Sequence, residues 1–71
     1  MTIQEAIKHV EDNKAVNRFT YIIPRSNQEP FRKDELMIIE SIDKHHITIR
    51  RHADWFLYEI KTELIKHFKL I

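Results

Sequence analysis

The sequence predicts an α+β fold: a helix, a three-stranded antiparallel meander and a second helix, with both helices on one face of the sheet. Three observations point there. Apolar residues recur at helical spacing near both ends of the chain, they alternate with period two in the middle, and a length of 71 residues leaves room for only one core. Residues 1–71 therefore read as a single compact domain.

The first helix opens at Thr2, because Thr2 and Glu5 have the spacing of a capping box. Ile3, Ala6, Ile7 and Val10 then follow one face and leave Gln4, Glu5, Lys8, Glu11 and Asp12 for water. The helix is expected to end at Asn13 or Lys14. From Arg18 the period becomes two. Phe19, Tyr21 and Ile23 alternate against Arg18, Thr20 and Ile22 until Pro24 stops a first strand of about seven residues. Arg25 to Asp34 is polar, carries the second proline and reads as a loop, the segment expected to be most mobile.

Glu35 to Ile42 is the second predicted strand and His46 to Arg51 the third. A four-residue connection that pairs Ile42 with Ile47 suits a chain with no glycine, since a type I turn needs none. That register places Leu36, Ile38, Ile42, Ile47 and Ile49 on one face, the expected core. Met37, Ile39, Ser41, His46, Thr48, Arg50 and His52 fall on the other. It also puts Glu40 on the core face and Ile39 on the wet one, a conflict that a bulge or shifted register would remove. The last helix is predicted from Ala53 and Asp54 to near the C-terminus. Steps of about 100° bring Phe56, Leu57, Ile60, Leu64, Phe68 and Ile71 within about 120°, with Trp55, Tyr58, Thr62 and Ile65 as a second flank.

Composition bears on function mainly by exclusion. Without glycine there is no phosphate-cradling loop, dinucleotide fingerprint or nucleophile elbow. The absence of cysteine removes thiol nucleophiles, disulfides and Cys-based zinc sites, and it fits a reducing compartment. The start, Met-Thr-Ile-Gln-Glu, does not resemble a secretory signal, and no apolar run approaches a membrane span, so a soluble cytoplasmic protein is expected. Five histidines lack metal-ligand spacing: His45 and His46 would point to opposite faces of a strand, and His46 to His52 spans about 20 Å. No cofactor, metal or small-molecule substrate is expected.

Three functional readings follow. The first is a non-enzymatic protein-binding or regulatory module that contacts another protein or itself, through the flank of Trp55, Tyr58, Thr62 and Ile65 or through a sheet edge, with Trp55 and Tyr58 also readable as cover for the core. The second is nucleic-acid binding by the basic loop (Arg25, Arg32, Lys33) and the strand face (His46, Arg50, His52), although the net charge is only +1. Here the predicted element order resembles that of the double-stranded-RNA-binding domain. That family's loop between its first two strands contains glycine and proline, and a lysine cluster opens its last helix; this chain has "PRSNQEPFRKD" and "HADWFLYEIK" in those places. The third reading, a metal-independent ribonuclease using His46, Arg50 and His52, asks those side chains to share one phosphate across a long strand.

Overall fold

A computed structural model describes residues 1–71. The first part of the chain folds much as its pattern indicates. Helix α1 runs Ile3–Ala15, and its capping box forms: Glu5 N donates to Thr2 Oγ1 at 3.1 Å and Thr2 N to Glu5 Oε1 at 3.1 Å. The helix stops in a Schellman motif, in which Asn17 takes φ 56° while Arg18 N reaches Asn13 O at 2.8 Å and Asn17 N reaches Lys14 O at 3.1 Å. Asparagine is a suitable substitute for glycine at that left-handed position.

Strands β1 (Thr20–Pro24), β2 (Met37–Ile42) and β3 (His46–Arg51) form an antiparallel meander, and Ile42 does pair with Ile47. The register shifts between Ile39 and Ser41. Glu40 is the extra residue, and the bulge puts both Ile39 and Ile42 on the core side. Met37 and Ile39 are buried in the core, whereas Leu36 precedes the strand and is exposed. Ile38 is also buried, but on the opposite face, paired with Tyr21 and Arg50. The expected core set of Leu36 and Ile38 is thus replaced by Met37 and Ile39.

The last third of the chain overturns the predicted architecture. There is one α-helix and a five-stranded antiparallel sheet, and no second α-helix covers it. Strand β4 (Leu57–Lys61) pairs with β3, a 3₁₀ turn η1 (Thr62–His67) crosses the core side, and β5 (Phe68–Leu70) pairs with β1. The strand order is β4-β3-β2-β1-β5. One feature of the sequence favours this outcome. Leu57 to Lys61 alternates, with Tyr58 and Ile60 turned toward the core and Leu57, Glu59 and Lys61 outward. In the folded sheet Ile60 and Tyr58 lie opposite Ile47 and Ile49, which are fully buried. The similarity of element order to the double-stranded-RNA-binding domain disappears with the second helix.

One side of the sheet carries the core. Ala6 and Val10 of α1, Ile65 of η1 and Phe68 pack there against Ile22, Met37, Ile39, Ile47 and Ile49. The 25–36 loop closes the end of this layer. Its Phe31 is buried, edge-to-face with Tyr58 at 5.2 Å and Phe68 at 6.2 Å, and the Glu29–Pro30 peptide just before it is cis. Despite its polar composition, the loop is anchored by an aromatic side chain. The other side of the sheet receives neither α1 nor η1 and stays open.

Candidate functional site

The turn joining β3 to β4, residues 52–55, is built without glycine and needs one left-handed residue. Trp55 N donates to Arg51 O at 2.8 Å, Arg51 N donates to Phe56 O at 2.9 Å, and Asp54 Oδ1 accepts from Phe56 N at 3.1 Å. Trp55 itself takes φ 66°. A bulky residue at positive φ is an outlier that costs on the order of 1–3 kcal/mol, unlike Asn17 or Asp34, which tolerate it. Nor does burial compensate. Trp55, Phe56 and Leu57 are 55%, 63% and 53% exposed.

The indole is nevertheless held in place from the open face. Arg50 Nη1 donates to Trp55 O at 2.8 Å, and its guanidinium lies 5.2 Å from the Trp55 ring centre, within cation–π range. Arg50 Nε in turn pairs with Glu40 Oε1 at 2.8 Å. The β2 bulge frees the Glu40 side chain to make this contact, so an irregularity in one strand steadies an aromatic side chain two strands away. His52 completes the surround, edge-to-face with Trp55 at 6.3 Å.

Cross-strand pairing extends the surface. Leu57 is opposite Arg50, Arg50 opposite Ile38, and Ile38 opposite Tyr21, while Tyr21 and Ile71 exchange backbone hydrogen bonds at 3.1 and 2.9 Å. Because paired residues share a face, Leu57, Arg50, Ile38, Tyr21 and Ile71 form one row across the open side, headed by Trp55. It is a mostly apolar band containing one arginine.

Arg51, on the core side, ties the turn to the 25–36 loop. Its Nη2 donates to Pro30 O at 2.6 Å, its Nη1 lies 3.3 Å from Asp54 Oδ2, and its guanidinium sits 4.7 Å from the Tyr58 ring and 5.5 Å from that of Phe31. Nε is 2.9 Å from Glu35 Oε1 but out of hydrogen-bond alignment, so that contact is ionic.

The predicted site residues are dispersed. Of the flank Trp55, Tyr58, Thr62 and Ile65, only Trp55 is exposed. Tyr58 is half-buried against Phe31, and Thr62 and Ile65 are core residues, because the helix that would have aligned them does not form. Among the basic residues, Arg50 and His46 lie on the open face of β3, and His46 Nε2 is 3.9 Å from Glu59 Oε1. Arg25 is on the far side of β2, with Nε donating to Phe68 O at 3.1 Å, and Arg32 and Lys33 are exposed in the loop. His52 is beside Trp55 rather than at the end of a basic stripe. Phe56 and Leu57, expected on the inward face of a last helix, are instead exposed, and Tyr21 is expected only as a strand residue. The signal for the first two was the unbroken run Trp-Phe-Leu at the seam between two patterns.

No three His, Asp or Glu side chains come together in a group that could hold a metal, and no helix is long and apolar enough to cross a membrane. An open cleft of about 320 Å³ lies between the end of α1 and β2, beside the exposed Phe19, and includes Val10, Lys14 and Ile39. Comparisons with protein families, curated proteins and solved structures find no match for this chain.

Proposed function

We propose that this chain is a non-enzymatic protein-binding module acting in the cytoplasm, with the open sheet face as its docking surface and Trp55 as the anchor. One observation carries the reading: a tryptophan occupies an exposed, left-handed turn position where glycine or asparagine would be less strained. Backbone strain held without a gain in burial suggests that the side chain is wanted for its exposure. The composition of the surface supports this, since tryptophan, tyrosine and arginine are the side chains that dominate interface energetics, and Trp55, Tyr21 and Arg50 lie on or beside one row. The cytoplasmic assignment rests on the lack of cysteine.

The test is capture of partners from an extract of the native cell on immobilised wild-type and Trp55→Ala chains, followed by calorimetry on the purified pair. A partner held by the first and released by the second supports the proposal. Equal retention by both would refute it. Nucleic-acid binding has weaker support, because Arg50 is engaged by Glu40 and Arg25 is separated from it by β2. A salt-dependent affinity for single strands or duplexes at low ionic strength would favour that alternative.

A further inference from the structure

Strand β4 forms one edge of the sheet. The bonds Arg51 N to Phe56 O and Thr62 N to His45 O set the phase of its ladder with β3. Even-numbered residues turn their backbone groups toward β3, so the N–H and C=O groups of Leu57, Glu59 and Lys61 point away from the sheet. Edge strands are usually blunted by short length, by charged side chains, by proline or by a bulge. This one has no proline, pairs with β3 without a register shift, and carries one acid and one base, Glu59 and Lys61, two residues apart on the same face.

That spacing makes the edge complementary to itself. In an antiparallel pair of β4 strands centred on Ile60, Glu59 lies opposite the partner's Lys61, and Lys61 opposite the partner's Glu59. Both are positions whose backbone groups point outward, so the charge pairs and the new hydrogen bonds coincide. Centring on Glu59 instead would oppose two glutamates. Centring on Tyr58 would form no charge pair. We infer that a second copy of this chain docks along β4 in the register centred on Ile60, joining two five-stranded sheets into one. This goes beyond the partner-binding surface proposed above and does not depend on it, since that surface is the sheet face and this one is the sheet edge.

The register can be tested directly because the chain has no native cysteine. Ile60 would face its own symmetry copy at a non-hydrogen-bonded position, where Cα atoms are about 4.5 Å apart, within disulfide range. Ile60→Cys is expected to give a covalent dimer on mild oxidation, while Tyr58→Cys and Glu59→Cys are not. In sedimentation equilibrium the wild-type chain of 8.7 kDa should show twice that mass. Glu59→Lys and Lys61→Glu should each return it to one chain, and the double exchange should restore the dimer. Circular dichroism checks that each variant stays folded, which is expected of the Glu59 and Lys61 exchanges because both side chains are exposed. A wild-type mass of one chain at millimolar concentration, a dimer that survives Glu59→Lys, or cross-linking at Tyr58→Cys or Glu59→Cys in place of Ile60→Cys would each overturn the proposal. Trp55→Ala should remain dimeric, which separates failure here from failure of the partner-binding reading.

Discussion

The two turns at the ends of β3 solve the same problem in opposite ways. At the β2–β3 turn, Asp43 Oδ1 accepts from His45 N at 2.7 Å and His46 N at 2.8 Å, and Asp43 N donates to His46 O at 3.0 Å. Thr62 then binds the turn from behind, its Oγ1 donating to Asp43 O at 2.7 Å and its N to His45 O at 3.0 Å. No residue there has positive φ. The β3–β4 turn has comparable polar support from Asp54 and Arg51, yet it places a tryptophan in a strained conformation and exposes three apolar side chains in succession. One turn is arranged to close a hairpin. The other closes a hairpin and displays a surface, and the strain at Trp55 marks the difference between them.

The largest expected effect comes from breaking the support of the second turn. Arg51→Met leaves Glu35 and Asp54 without their cation in a partly buried site and should cost about 3 kcal/mol. Thermal unfolding followed by circular dichroism should show a Tm lower by on the order of 15 °C. Next is the surface itself, where Trp55→Ala should weaken binding to the captured partner about 30-fold, the loss expected for an anchor worth about 2 kcal/mol. The first turn provides the counterpart. Thr62→Val keeps the shape but removes a buried hydroxyl donor from Asp43 O, and urea unfolding should report a loss of about 1.5 kcal/mol with no change in partner affinity.

A smaller effect sharpens the comparison. At position 55 glycine should be more stable than alanine by about 1 kcal/mol, the reverse of the order within helices and strands, because only glycine takes φ 66° without steric cost. If the Trp55→Ala chain proved as stable as Trp55→Gly, the strain argument would fail. The smallest effect concerns acid. The backbone N–H groups of His46 and His45 hold the Asp43 carboxyl below the usual carboxylate range. A pKa lowered by folding gives stability that is present above the unfolded value and is lost as pH falls through the folded one. Asp43→Asn keeps the acceptor and removes the charge, so its unfolding midpoint should depend less steeply on pH on the acid side than that of the wild type.

How much of this was legible from the sequence differs along the chain. Capping at Thr2 and Glu5 is local, and so is the alternation in β1 to β3, which is why α1 and the Ile42–Ile47 pairing follow from the residues themselves. Even the bulge left a trace in the clash between Ile39 and Glu40. The failure lies after residue 52. Leu57, Ile60, Leu64 and Phe68 have helical spacing by coincidence of apolar density, while the same stretch read with period two places Tyr58 and Ile60 inward, as observed. Choosing between the two depends on a nonlocal fact, the pairing of Tyr58 and Ile60 with Ile49 and Ile47 of β3. The site was less legible still. A tryptophan in a left-handed turn has no sequence signature, and a row running Leu57, Arg50, Ile38, Tyr21 exists only once four strands are in register.

Arg51 is held by a carboxylate on the 25–36 loop, a carbonyl of the same loop and an aspartate of the β3–β4 turn, between two aromatic rings. Segments far apart in sequence therefore share one fastener. In hydrogen-exchange experiments the amides of residues 31–36 and 51–56 should open as a single unit with one common free energy, rather than as two independently fluctuating loops. A ligand seated on Trp55 should then slow deuterium uptake in a loop it never touches.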